Sequence, residues 1–158
     1  MKKIYIAAYH QSKFGKLFDM TVPAIVDNAI SDVCGEIGAE PTAIDVGSIG
    51  ATCNFSLNEQ GLLAGLVAMV PGLGAKPIEA VENACASGGQ AVLSVIGKMQ
   101  MGLGDIGIAV GFEKMRNDEG KMDGALIGKV LGFFSHPDER EGKVYVLSLI
   151  HISEPTRP

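Results

Sequence analysis

The chain has 158 residues, 47% of them hydrophobic and 20% charged, enough for one domain with a sizeable buried core. A formal net charge of −5 removes the basic footprint of a general nucleic-acid binder, so no DNA or RNA partner is expected. The apolar run after Lys2 and Lys3 is broken by His10 and Gln11, too short for a signal-peptide core. The longest apolar run, Leu62 to Leu73, carries Gly65, Pro71 and Gly72 and falls well short of the roughly 20 residues of a membrane span. A cytoplasmic protein without a membrane span is the expectation.

Ile4 to Tyr9 is apolar and rich in β-formers and predicts a first strand. From Thr21 to Ile37, Val22, Ile25, Val26, Ala29, Ile30, Val33 and Ile37 share one helical face, and Gly35, Gly38 and Pro41 stop that helix. Ile44 to Thr52 predicts a second, buried strand, Leu57 to Met69 a helix closed by Pro71 and Gly72, and Ile78 to Val81 a third strand. Beyond Gly88 the positions Ala91, Val92, Val95, Ile96 and Met99 repeat at three and four residues, and Ile106 to Val110 is strand-like again. The order βαβαβαβ, with near-continuous apolar strands, places the chain in the α/β class with a mostly parallel sheet between helices. Residues 111 to 143 carry charges, glycines and the pair Phe133 and Phe134, and read as an excursion over the sheet with room for a short helix.

Cys34, Cys53 and Cys85 are widely spaced, with no CxxC pair and no histidine at ligand spacing, so neither a disulfide framework nor a metal site is indicated. Cys34 continues the apolar side of its helix and Cys53 ends a strand; both read as small buried hydrophobes. Cys85 differs. It lies between a strand and a glycine-rich helix start, in VENACASGGQAV at residues 81 to 92, and Ala84, Ala86, Ser87, Gly88 and Gly89 remove bulk around the sulfur. A helix N-terminus, with its unpaired N–H groups and positive dipole end, favours thiolate over thiol, which suits a nucleophile. Ser87 is equally placed to cap the helix, and the glycines to seat it closely on the sheet, so spacing alone leaves a catalytic and a structural reading open.

Four segments together settle more than the spacing does: KIYIAAYHQSKFGKL at residues 3 to 17, PAIVDNAISDVCGEIG at 23 to 38, VENACASGGQAV, and GDIGIAVGFEKM at 104 to 115. With them the chain resembles the thiolase superfamily, specifically thiolases of the archaeal acetyl-CoA acetyltransferase and sterol-carrier-protein type. The resemblance implies a layered α/β fold repeated in two halves, with Cys85 as the nucleophile accepting an acyl group from acyl-CoA and its backbone N–H as one oxyanion donor. Glu113 and Met115 match a segment near the active site and are expected to be structural. The implied reaction is Claisen condensation or thiolytic cleavage of a 3-ketoacyl-CoA, with the coenzyme A thioester as substrate, no metal or bound redox cofactor, and a homo-oligomeric protein. Glu82 stands where many thiolases have asparagine, so substrate preference does not transfer.

The activating histidine, the oxyanion segment and the second cysteine of such enzymes have no counterpart here. His10, His136 and His151 match none of those motifs and read as surface or loop residues. Residues 1 to 146 are therefore expected to be an incomplete N-terminal thiolase domain, inactive alone; a non-catalytic thiolase-like subunit binding a partner protein is the alternative. Charged residues from Arg116 to Lys121 and Pro137 to Lys143 read as solvated loops before coenzyme A contacts, and Met122, Phe133 and Phe134 as loop packing or an acyl pocket. The helix Gly88 to Met101 is apolar on more than one side, with Leu93 and Leu103 joining the main stripe, as expected of a helix covered all round, so a lone half is expected to expose that face. The tail LSLIHISEPTRP, residues 147 to 158, continues no element and resembles a translated sequencing-adapter read-through.

Overall fold

The computed structural model describes residues 2–17, 19–116 and 121–132. The chain divides into two units, Met1–Met122 and Asp123–Pro158. The first unit is a parallel three-stranded sheet flanked by helices, and it holds the predicted site.

Helix α1 (Val22–Glu36) starts where Thr21 Oγ1 accepts a hydrogen bond from Ala24 N at 3.3 Å, and it buries Val22, Ile25, Val26, Ile30 and Cys34. Strand β1 (Val46–Gly50) is buried at every position because it is central, with β2 (Ile78–Val81) on one side and β3 (Gly107–Gly111) on the other, both parallel. The strands' two faces are divided by their period of two. Ile49, Ile108 and Val110 join the core formed by α1 and α3 (Leu63–Ala68). Val46, Ser48 and Gly50 face the other way, toward α4 (Ser87–Gln100), whose Val95 and Met99 crowd Gly107 beside Val46. In the second unit, α5 (Gly124–Gly132) begins where Asp123 Oδ1 accepts from Leu126 N at 2.9 Å, the short helix for which the sequence left room.

Two predicted elements are corrected. Ile4–Tyr9 is not a strand: Tyr5 is 78% and Ile6 85% exposed, and the segment has no sheet partner among the described residues. Local propensity makes a strand only where the segment is carried to a ladder partner, and here it is paired to neither outer edge of the sheet, that of β2 or that of β3. Side chains tie the segment down instead. Lys2 pairs with Asp105, and His10 stands between Asp32 and Glu36 of α1, at 3.3 and 3.2 Å. The single helix predicted over Leu57–Met69 is two, α2 (Asn54–Asn58) and α3, because Glu59 takes a left-handed conformation (φ 54°). The buried Asn54 fixes that break, donating from Nδ2 to Gln60 O at 2.8 Å and accepting from Asn58 Nδ2 at 3.0 Å.

Helix α4 seats Ala91 and Val95 on the sheet and, among the described residues, leaves Leu93 64% exposed, the open face expected of this half by itself. Ser48, in the middle of β1, buries its hydroxyl without a hydrogen-bond partner among the described residues. An unsatisfied buried hydroxyl is a net cost, so Ser48→Ala is expected to gain about 1 kcal/mol in urea denaturation. A loss of stability would show that the hydroxyl is bonded in solution.

Two carboxylates brace the end of the unit where the strands begin. Asp45 Oδ2 accepts from the backbone N–H groups of Ile106 at 3.0 Å and Asp105 at 2.8 Å, and these hold its carboxyl below the usual range. Glu79 is likewise held low, first by the Ser94 hydroxyl and then by Lys98, 3.1 Å away. A depressed folded-state value means that stability is fully present above the ordinary carboxylate range and is lost as pH falls through the lowered values. Asp45→Asn should flatten the acid limb of stability as pH falls below the ordinary carboxylate range, and an unchanged limb would contradict this.

Candidate active site

The strands β1, β2 and β3 run parallel, so their C-terminal ends share one edge of the sheet, where parallel α/β folds place their ligands. Cys85 is there, four residues after β2 ends and two before α4 begins, and it is exposed while Cys34 and Cys53 are buried. Helix α4 has no side-chain cap and no acidic residue in its first turn. Ser87 is its first residue and not its cap, contrary to one of the readings from spacing; its hydroxyl accepts from Asn83 N at 2.8 Å instead.

The residue before the cysteine is strained. Ala84 has φ 45°, in the left-handed region that side-chain-bearing residues avoid and that persists only where the surroundings hold it. Its N–H donates to Glu82 Oε1. Its carbonyl lies 2.6 Å from Thr52 Oγ1 and 2.7 Å from Ser87 Oγ, and those two hydroxyls are 2.9 Å apart. Both hydroxyls are within donating distance of the one carbonyl, and they lie close enough to each other to share a proton. Ala86 N and Ser87 N complete the turn on the carbonyls of Asn83 and Ala84, at 2.9 and 3.1 Å. The result is a strand, a sharp left-handed turn, a cysteine and a helix: a compact way to raise a side chain clear of a sheet.

Glycine makes the close approach. A Cβ on Gly50 would lie 2.5 Å from the carbonyl carbon of Ser87, and one on Gly111 would lie 3.2 Å from the Cα of Gly88, so the ends of β1 and β3 press on the backbone of the first turn of α4. A Cβ on Gly88 would make only an ordinary contact, 3.9 Å from the Cα of Gly111, and one on Gly89 would meet nothing within 4 Å, so the close approach rests on the strand glycines and not on those of the helix.

Glu113, two residues beyond β3, ties this corner to the neighbouring strand. Its carboxylate accepts from Thr52 N and, through both oxygens at 3.2 Å, from Cys53 N. Cys53 is thus next to the network without being exposed to it. Burial pushes its thiol up, with further contributions from Glu113 and from Cys85. Burial and then Glu40 push up the Cys34 thiol in the same way. Lys114 is buried, donating to Met20 O at 2.8 Å, while Met115 is 39% exposed. Beside the elbow is a cleft of about 240 Å³ with Thr52, Phe55, Leu63, Val81 and Glu82 in its walls.

The structure therefore brings Cys85 together with Glu82, Ser87 and, through Thr52, Glu113. His10 stays with α1. His136, His151, Phe133, Phe134, the Pro137–Lys143 segment and the tail from Leu147 lie outside the described residues, and Met122 is 51% exposed. Among the described residues no cluster of three or more His, Cys, Asp or Glu is arranged to hold a metal, and no helix is long and apolar enough to cross a membrane. Sequence reasoning missed Thr52, which looked like the last residue of a strand. Its only signal was a hydroxyl residue just past a buried strand end.

The first unit is thus a parallel α/β sheet with an exposed cysteine at a helix start on its C-terminal edge. The family model for the thiolase N-terminal domain matches residues 4–149, and the chain belongs to the thiolase family. It is 33% identical over 115 residues to the acetyl-CoA acetyltransferase of Methanothermobacter thermautotrophicus, covering 73% of this chain and 30% of that protein. It is 30% identical over 115 residues to the acetyl-CoA acetyltransferase of Methanocaldococcus jannaschii, covering 73% of this chain and 29% of that protein. The chain thus spans about three-tenths of the length of these curated relatives.

Proposed function

We propose that this chain supplies the nucleophile half of an acetyl-CoA C-acetyltransferase or 3-ketoacyl-CoA thiolase. Cys85 attacks the thioester carbon of an acyl-CoA, coenzyme A leaves as the thiol, and the acyl group rests on sulfur until a second substrate takes it. Acyl transfer through sulfur divides a difficult carbon–carbon bond step into two easier ones. The observation that carries this reading is the exposed Cys85 on its left-handed turn at the uncapped start of α4. The names of the two archaeal relatives support acetyl-CoA as the acyl donor.

The turn lends itself to the tetrahedral intermediate. Backbone N–H groups at a helix start offer donors to an oxyanion without reorganisation, and the Cys85 N–H is the one we assign to that role. The proton of the thiol needs a base; among the described residues no histidine stands beside Cys85, and in this reading the base and the second cysteine are supplied by a second α/β half of the enzyme. No bound metal or redox cofactor enters the proposed reaction. A second copy of the protein completes the assembly in this reading.

The test uses the protein encoded by the complete reading frame at the source locus. Sequencing past the codon for Val146 is expected to show that frame continuing into a second α/β half with the histidine and second-cysteine motifs. Incubation with acetyl-CoA followed by peptide mapping should then find one acetyl group on the peptide that contains Cys85. A frame that stops, or an acetyl group on another residue, defeats the proposal; a stop after Pro158 favours the non-catalytic subunit.

A further inference from the structure

We infer that Thr52 is a positioning residue for the nucleophile, acting through the carbonyl of Ala84; the inference rests on the acyl-transfer role proposed for Cys85. The left-handed backbone at Ala84 is what turns the chain from the β2 end toward α4, and it decides where Cys85 stands relative to the first turn of the helix. Such a conformation does not hold itself. Its N–H is retained by Glu82, from within the same loop, and its carbonyl by two hydroxyls, of which Ser87 also belongs to the local turn. Thr52 is the one member of this set that comes from a different part of the chain, 32 residues earlier, and its Oγ1 reaches the carbonyl at 2.6 Å and Ser87 Oγ at 2.9 Å.

Thr52 is well placed to impose a position because it is itself held. It follows the fully buried central strand by two residues, and its N–H is taken by the carboxylate of Glu113, which projects from the chain just past β3. Cys53 N is bonded to the same carboxylate. The cysteine loop is thus referenced to the central strand directly and to its neighbour β3 through one side chain. Losing the Thr52 hydroxyl leaves the Ala84 carbonyl with Ser87 alone and lets the elbow relax toward unstrained backbone, which moves the sulfur while leaving the sheet intact. Misplacement of a reacting atom by about 1 Å costs on the order of 100-fold in rate.

The experiment compares Thr52→Val, Thr52→Ser and Ser87→Ala in the protein from the complete reading frame, with iodoacetamide as the probe of Cys85 and thiolysis of acetoacetyl-CoA as the probe of turnover. Thr52→Val is expected to lower both the alkylation rate of Cys85 and kcat by about 10- to 100-fold, with KM within about twofold and the thermal midpoint little changed. Thr52→Ser, which restores the hydroxyl, should recover most of both rates. Wild-type alkylation and kcat in a folded Thr52→Val protein overturn the inference, as does a Thr52→Ser protein no better than Thr52→Val. If Thr52→Val does not fold, Thr52→Ser and Ser87→Ala decide. A near-wild-type serine variant beside a slowed Ser87→Ala upholds a hydroxyl network that positions Cys85, and unchanged rates in Ser87→Ala overturn it. Failure of the underlying acyl-transfer reading looks different: the wild-type protein then forms no acyl-enzyme although alkylation of Cys85 still depends on Thr52.

Discussion

Cys85→Ala, made in the protein from the complete reading frame, is expected to abolish acyl-enzyme formation from acetyl-CoA and to lower thiolytic turnover by on the order of a thousandfold or more. The loss should fall on kcat, because the sulfur contributes a covalent bond to the reaction and little to holding the substrate. Folding should survive. Cys85 is exposed, so alanine removes no buried contact, and the turn before it is held by Glu82, Thr52 and Ser87, which stay in place. Cys53→Ala is the matched control. It deletes a buried thiol and should cost stability without removing the acyl-enzyme. Unchanged turnover in Cys85→Ala would mean that the reaction, if there is one, runs through another residue.

The second large effect comes from Gly50. A methyl group there would stand 2.5 Å from the Ser87 carbonyl carbon and 3.1 Å from Gly88 N, and these are backbone atoms with no rotamer to move aside. Either β1 shifts within a sheet that pairs it on both sides, or the first turn of α4 lifts from the strand ends. Gly50→Ala is therefore expected to cost about 3 kcal/mol or more in chemical denaturation, at the upper end of overpacking effects. The protein that does fold should show slowed alkylation of Cys85, because the helix start that carries it has moved. A Gly50→Ala protein of wild-type stability and thiol reactivity would show that this approach is looser in solution than in the structure.

Much of the sheet layer was legible. The helical face from Val22 to Cys34, the apolar segment around β1, the short strand at Ile78 and the periodicity after Gly88 all correspond to elements within a few residues, because each is set by local pattern and by one buried face. Cys34 and Cys53 were expected to be buried, and they are. The predicted strand at Ile4–Tyr9 failed for a non-local reason: propensity cannot show whether the segment is carried to an edge of the sheet. The helix over Leu57–Met69 failed because one residue without glycine's freedom, Glu59, takes a left-handed conformation that two asparagines hold in place.

Sequence alone determined that this is an α/β chain of the thiolase kind and that Cys85, between a strand and a glycine-rich helix start, is the residue to examine. Small residues around a cysteine are a local signal, and local signals survive in one dimension. Only the tertiary structure decided what holds that cysteine. Thr52, Ser87 and the Ala84 carbonyl meet because β1 and β2 lie side by side, and Glu113 joins them because β3 lies on the other flank of β1. Hydrogen bonds across 32 and 61 residues of chain leave no spacing to read, since the distance that matters is set by the register of parallel strands.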